Sequence, residues 1–452
     1  MTRHGRTSDP RALAHNVTKR VLYHGAFADI ALGSALAESA LPPADRRLAT
    51  ELVYGTVRRL LTIDWALDGL LRKPVSSAHP DLATALRLGA YQILYLDRVP
   101  DYASVDRAVA ITRAKAGGPE ARVTNAVLRR LARDGPRPLP AWDDRAVRLA
   151  VEHSHPVWLV RRLLSTWTVA EASSILAANN VPPPLEVWVN TLKAGRATVA
   201  RSLETEGYAT RPGRFTKDCL VMETGGKPVE ESKAFRDGLF YVMDEAAMLV
   251  APALGAEPGS TVLDACAAPG GKSVCLAASM NNRGRVLAID LSEARVALIQ
   301  QNCERMGAAI VEARQGDARD AGGMAGAPFD YVLVDAPCSG LGVLRRRPDL
   351  RWRKDLEQVE GLRRLQQEIL RGAAAALKQG GILLYCTCSI HPDENRGAIE
   401  SFLRDHQHYR MTSLRGLIPP ELELDEDNGT LQLYTHVHGT DGFYIARMVK
   451  MA

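Results

Sequence analysis

The sequence predicts a multidomain chain with an all-α N-terminal domain, a small α+β middle module and a C-terminal α/β domain built on a largely parallel sheet. Three observations predict it. The chain has 452 residues, too many for one core at roughly 100–200 residues per domain. Apolar residues recur at helical spacing through residues 11–134. From about Gly238 onward, short strand-like runs alternate with helical ones, the pattern of a parallel sheet covered by helices.

The N-terminal elements follow in order. RALAHNVTKRVLYHGAF, ADRRLATELVYGTVRRLLTIDWALDGLL and DLATALRLGAYQILYL each carry an apolar stripe of helical period. SVDRAVAITRAKA opens with Ser104, a good N-cap. ARVTNAVLRRLARDG closes on Gly135, the residue expected just past a helix end. GPRPLPAW then reads as a linker, since each proline removes a backbone donor and fixes φ. The expected domains are residues 1–140, 141–237 and 238–452.

In the middle module, RAVRLAVEH and PVWLVRRLLST read as helices and the prolines of VPPP interrupt them. LEVWVN is an expected strand, ATVARSLETEG a helix and the run around DCLVMET a second strand. In the last domain TVLDAC, RVLAIDL, VEARQGDA, FDYVLVDAP and GGILLYCTCS are strands, with helices at EARVALIQQNCERMG and QVEGLRRLQQEILRGAAAALKQ.

Composition excludes several classes. A hydrophobic fraction of 46% with 24% charged residues is that of a soluble globular protein. No apolar run reaches the roughly 18 residues of a membrane helix, and the basic start, MTRHGRTSDPRALAHN, lacks the apolar core of a secretory signal. The expected address is the cytoplasm. Seven cysteines, all between Cys219 and Cys388, make an odd-numbered and confined set that suits reduced thiols better than a disulfide framework. Residues 1–140 carry 21 Lys+Arg against 13 Asp+Glu, and the remainder 36 against 39. A basic first module beside a near-neutral remainder points to a polyanion partner or, more simply, to a solvated basic face.

The chemistry concentrates at strand ends. TVLDAC runs into the Gly-rich turn Cys266, Ala267, Ala268, Pro269, Gly270, Gly271 and Lys272. Glycine lets backbone approach a ligand closely, and the helix that follows offers its N-terminus. Asp290, Asp317 and Asp335 end the next three strands, and ligands of open α/β sheets bind at those ends. Asp290 stands where a carboxylate meets ribose hydroxyls. The turn has neither G-x-G-x-x-G nor G-x-x-x-x-G-K-[ST], which disfavours NAD, FAD and a P-loop. Taken singly, each feature is as often a tight turn or a helix cap. Their register is what points to a cofactor crevice.

Two cysteines end strands at the same crevice, Cys338 in DAPCSG and Cys388 in YCTCS. A thiolate adding to C6 of cytosine pushes electron density onto C5, which can then attack a methyl sulfonium. A carboxyl group such as Asp335 suits the ring nitrogen that takes up charge. Cys219, Cys275, Cys303 and Cys386 read as core residues. Cys386, Cys388 and His391 lie close in sequence, but no second C-x-x-C pair completes a metal site, and no metal is expected.

LDACAAPGGKS, VLAIDLS, GDA, DAPCSG, YCTCSIHPDEN and DGFYIAR together resemble the RNA 5-methylcytosine methyltransferases across residues 238–450. The helices ending in NAVLRRLAR resemble the NusB-like RNA-binding domain. The resemblance implies a NusB-like N-terminal domain joined to a Rossmann-like class I methyltransferase domain that uses S-adenosyl-L-methionine. It also implies 16S rRNA as substrate, as in the bacterial small-subunit enzymes that combine these domains. By resemblance, the segment from Cys266 to Lys272 wraps the methionine end of the cofactor. Asp290 holds its ribose, Asp317 its adenine, and Asp335 lies where cofactor and base meet. Cys388 is the implied nucleophile and Cys338 the implied aid to enzyme release.

After DAPCSG, the run LGVLRRRPDLRWRK offers Arg345, Arg346, Arg347, Arg351 and Arg353 for phosphates and Trp352 for stacking on a base; the plain alternative is a solvated loop. The acidic run ELELDEDN is expected to face away from RNA. The expected partners are thus RNA and no membrane, with the chain a monomer. A tRNA cytosine methyltransferase and a non-catalytic assembly factor remain alternatives. Cys338 and Cys388 speak against the latter, which needs neither thiol.

Overall fold

The computed structural model describes residues 9–140, 142–223, 227–324, 328–424 and 429–451. The first eight residues of the basic start and the DEDN half of the acidic run lie outside the described residues. The fold divides into two units, Met1–Pro182 with Leu344–Arg353, and Pro183–Val343 with Lys354–Ala452.

The first unit is helical. Its helices run Pro10–Tyr23, Ala28–Ala37, Pro43–Arg58, Leu60–Asp68, Pro80–Tyr95, Asp101–Lys115 and Gly118–Asp134, then Arg145–His153, Val157–Leu164 and Val169–Ala178. The apolar stripes of the first seven converge on one core, in which Leu52, Ile63, Leu67, Leu86, Leu128 and Leu131 are fully buried. Each such side chain contributes roughly 1.5–3 kcal/mol of transfer free energy. Gly135 caps its helix with φ 71°, as its position predicts.

Two expectations are corrected here. Ser104 is buried in the first turn of a helix that begins at Asp101 behind Pro100, so it is not the N-cap. The single helix expected over 44–71 is two. At Arg59 the backbone leaves helical geometry, and the Leu61 N–H donates to Ser154 Oγ at 2.9 Å. The break also releases the carbonyls of Val57 and Arg58, which take other donors. The first compact unit runs on past residue 140, to Pro182. Helix Arg145–His153 is tied to helix Leu60–Asp68 by Thr62 Oγ1 donating to Val151 O at 2.6 Å. The proline linker is itself pinned, with Arg137 stacked 3.3 Å over the Trp65 ring.

The second unit holds two sheets. The smaller is antiparallel, in the order β2 (Ala209–Pro212), β3 (Cys219–Glu223), β1 (Leu185–Val189), β4 (Phe240–Val242). The larger contains β5 (Thr261–Asp264), β6 (Arg285–Asp290), β7 (Val311–Gln315), β8 (Phe329–Asp335), β9 (Leu377–Thr387), β10 (Tyr409–Met411), β11 (Thr430–Leu433) and β12 (Phe443–Lys450). Its order is β10-β12-β9-β8-β5-β6-β7, with β11 also paired to β12. The five strands from β9 to β7 are parallel and β10, β11 and β12 run against their neighbours. The central parallel strands are buried on both faces and read as continuous apolar runs, as in Val332, Leu333 and Val334, while the edge strand β7 is partly exposed. The helix expected over 358–379 ends at Ala375, and Leu377 already begins β9. In the register of β8 and β9, Asp335 lies opposite Cys386. That register brings the ends of these two strands level.

Candidate active site

The site lies in the second unit at the carboxyl ends of β5, β8 and β9. Around it, Cys266, Lys272, Asp335, Cys338 and Cys388 are half-buried amid neighbours that are mostly fully buried. The Sγ atoms of Cys338 and Cys388 are 3.4 Å apart. Cys388 is placed by backbone: its carbonyl accepts from the Gly342 N–H at 3.0 Å, and the Gly342 carbonyl accepts from the Gly442 N–H at 2.8 Å. A Cβ on Gly342 would come within 2.0 Å of the Gly442 oxygen, so only glycine allows this approach.

Beside the thiols, Lys272 Nζ donates to Asp335 Oδ2 at 2.6 Å. Burial alone would push the Lys272 ammonium down, but Asp335, with Cys386 and Cys388 nearby, outweighs it and holds the amine above its ordinary range. The Cys386 thiol reaches the other Asp335 oxygen at 3.5 Å. Burial and Asp335 push that thiol well up, so it remains a proton donor. The Cys338 thiol is also pushed well up, first by its hydrogen bond with Cys388 and then by burial. Two adjacent sulphurs resist sharing two negative charges.

The cofactor turn is built from its own sequence. The Ala267 N–H donates to Ile289 O at 2.9 Å and the Gly270 N–H to Ala267 O at 2.7 Å. Arg295 Nη2 and Asn302 Nδ2 hold the carbonyls of Ala268 and Pro269 from outside. Gly270, at φ 101°, caps the helix Gly271–Ser279. A Cβ on Gly271 would meet Met243 and Tyr241 at 2.7 Å, so the turn has room only for bare backbone. Asp264, fully buried at the end of β5, accepts from Ser273 Oγ at 2.6 Å, while its Oδ1 is a buried acceptor without a partner. Burial pushes its carboxyl up to about 7. Asp290, 4% exposed, accepts from the Ser292 N–H and pairs with Arg295. A bare-backbone turn, an orphaned acceptor and a strand-end carboxylate fit an amino-acid sulfonium joined to a ribonucleoside. Asp317 is drawn elsewhere: Arg319 donates to both its oxygens, and that pairing holds its carboxyl below the usual range.

Within the basic run, the structure corrects Arg351, Trp352 and Arg353, whose side chains are used within the first unit. Arg351 is 0% exposed and donates to the carbonyls of Arg58, Ser154 and Asn179 and to Asn180 Oδ1. Trp352 packs against the helical core and its Nε1 donates to Val57 O at 2.8 Å. Arg353 donates to the carbonyls of Gly25 and Ala26 and lies over the Phe27 ring. Arg345 is buried, Arg346 half-buried, and Arg347 exposed with an ion pair to Asp29 at 3.1 Å. Arg351, Trp352 and Arg353 therefore staple residues 344–353 to the helices. Helix-end carbonyls with no intrahelical donor attract them more than solvent does.

Sequence reasoning left Lys272 without a side-chain role and passed over Asp264 and Glu394. A strand-end aspartate beside a motif lysine was the available signal for the first. Glu394 stood in the quoted run YCTCSIHPDEN, but the fold that makes it a hub is nonlocal. Cys219, Cys275, Cys303 and Cys386 are buried, as core residues are.

The chain is similar to known proteins along most of its length. The model described as 16S rRNA methyltransferase RsmB/F matches residues 251–449, that of the NusB family residues 8–133, and that of the RsmF/B-like ferredoxin-like domain residues 155–230. A Bacillus subtilis (strain 168) protein named "Probable ribosomal RNA small subunit methyltransferase B" is 37% identical, over 94% of this chain and 95% of its own. A Pseudomonas syringae pv. tomato protein named ribosomal RNA small subunit methyltransferase B is 36% identical, over 94% and 96%. The solved structure titled "Crystal Structure of PH0851" is similar at a TM-score of 0.84 and 27% identity, over 98% of this chain and 99% of that one.

Proposed function

Because the chain belongs to the 16S rRNA methyltransferase RsmB/F family, we propose that it methylates carbon 5 of a cytosine in 16S rRNA through a covalent bond from Cys388 to C6. It is a methyltransferase that uses S-adenosyl-L-methionine. When bound, that cofactor supplies an electrophilic methyl group, and the residues of the turn from Cys266 to Lys272 with Asp290 would hold it. Asp317 would join them only by releasing Arg319.

The observation that carries the reading is the pair of sulphurs 3.4 Å apart beside the Lys272–Asp335 ion pair. In the proposed step Cys338, held as a thiol, keeps its proton while Cys388 attacks as its thiolate. Its lone pair forms the bond to C6, and the C5=C6 π pair moves onto the ring. The Lys272 ammonium, fixed by Asp335, offsets the charge that gathers there. Once Cys388 is a thioether, the like-charge cost of ionising Cys338 disappears and its proton passes to solvent. After C5 carries its methyl group, Cys338 takes the C5 proton. The C–H pair re-forms C5=C6, the C6–S bond breaks, and Cys388 leaves as thiolate. Both sulphurs are then in their starting states. A duplex hides the C5–C6 face, so the target base must be unpaired or flipped.

Purified chain, 16S rRNA and tritiated cofactor test the reading, with bisulfite sequencing of the product. One cytosine should become resistant to conversion, and Cys388→Ala should lower incorporation by about a thousandfold or more. Incorporation that survives Cys388→Ala removes the nucleophile, and a label on any other base removes the substrate atom.

A further inference from the structure

The Glu394 side chain is fully buried and sits between the two cysteine loops without touching either sulphur. Its Oε1 accepts from the Ser339 N–H at 2.7 Å and from Gln366 Nε2 at 3.1 Å. Its Oε2 accepts from Ser389 Oγ at 2.6 Å and from Ser339 Oγ. Ser339 follows Cys338 and Ser389 follows Cys388, so one carboxyl group holds the residue next to each thiol. The two hydroxyls are themselves 3.2 Å apart.

The hub is braced on all sides. Gln366 Nε2 also donates to Pro337 O at 2.9 Å, fixing the residue before Cys338. Tyr385 OH donates to Glu394 O at 2.7 Å. The adjacent Asn395 donates to Ser389 O at 2.9 Å and accepts from Thr387 Oγ1 at 2.6 Å. No Lys, Arg or His pairs with Glu394 among the described residues. All four contacts to the carboxyl group come from uncharged donors. A buried carboxyl group without a cationic partner is costly, and a hydrophobic residue would brace the loops more simply if packing were all that was needed.

We propose that Glu394 is a positioning residue that sets the distance between the two catalytic sulphurs, and that the step most sensitive to it is release of the enzyme from the methylated base. The inference rests on the covalent reading above. Attack on C6 needs Cys388 alone, whereas elimination needs Cys338 on the C5 proton while Cys388 is bonded at C6. A clamp acting on both loops therefore matters most where both sulphurs act at once, because misplacement of about 1 Å costs about 100-fold in rate.

The test compares wild type, Cys338→Ala, Glu394→Gln and Glu394→Asp on 16S rRNA with the cofactor, reading turnover, KM for RNA and the protein–RNA adduct on denaturing gels. Glutamine keeps the volume but offers one acceptor oxygen where four donors converge. In Glu394→Gln, kcat should fall about 10- to 100-fold with KM changed less than about twofold. The adduct should accumulate above wild type and below Cys338→Ala, and Glu394→Asp should restore part of the rate. If Cys338→Ala traps no adduct, the covalent reading itself fails. If it traps adduct while Glu394→Gln loses activity with none, the positioning role is overturned. Should Glu394→Gln not fold, Ser389→Ala removes one arm and keeps the carboxyl group; a smaller excess of adduct supports the clamp, and wild-type behaviour refutes it.

Discussion

Lys272 and Arg351 are both cations withdrawn from solvent, and they are held in different ways. Lys272 meets a carboxylate, and its side chain keeps 16% of its surface open. Arg351 meets no carboxylate among the described residues. It spreads its charge over four backbone carbonyls, those of Arg58, Ser154, Asn179 and Leu344, and one amide oxygen. Burial, reinforced by Arg58 and Arg59, lowers its proton affinity, while the ion pair raises that of Lys272. The partner type separates the two tasks. A cation facing a carboxylate at an open edge can answer charge that appears on a ligand. A guanidinium sealed among carbonyls satisfies groups left over from broken helices, and full burial keeps it from a phosphate.

The largest expected effect breaks or keeps this contrast directly. Arg351→Met leaves those carbonyls buried without donors and should lower stability by about 3–5 kcal/mol, read as a shift of the urea midpoint. Lys272→Met should leave the midpoint near wild type while methyl incorporation falls about 100-fold. The contrast is lost if Arg351→Met unfolds at the wild-type midpoint or if Lys272→Met remains active.

A buried acid sharpens it next. The Asp264 carboxyl lies at about 7 in the folded chain against an ordinary 3.8. A raised acid stabilises the fold below the ordinary value, and that contribution is lost as pH rises through about 7. Between pH 5 and 7 wild type should therefore lose about 2–3 kcal/mol that Asp264→Asn does not lose. Equal pH slopes for the two proteins would mean that Asp264 is already ionised at pH 5.

The smallest effect belongs to the exposed neighbour of Arg351. Arg347, paired with Asp29 at the surface, should contribute less than about 1 kcal/mol. It keeps a face for phosphate that Arg351 lacks, so Arg347→Ala should lower the slope of log affinity for RNA against log salt by about one. An unchanged slope removes Arg347 from the RNA surface.

The sequence made the local part of this molecule readable. Gly135 at a helix end, the strand-end aspartates and the turn before Lys272 are decided by neighbours a few residues away, and the period of apolar residues follows from the backbone. The nonlocal part was hidden. RRRPDLRWRK looks like a phosphate-binding loop until the helix break at Arg59 supplies carbonyls from nearly three hundred residues earlier. Ser104 looked like a cap because the Pro100 that precedes the helix is a weaker signal. Glu394 is separated from Ser339 by 55 residues, and no spacing rule joins them.

The staple at 344–353 has a consequence for how the chain is made. Its helices emerge from the ribosome first, yet the Trp352 ring and the Arg351 guanidinium that complete their packing are translated only after residues 183–343. The nascent helical bundle must wait through that synthesis with an open slot where Val57, Ser154 and Asn179 present bare carbonyls. A product terminated at residue 182 would keep that slot for good.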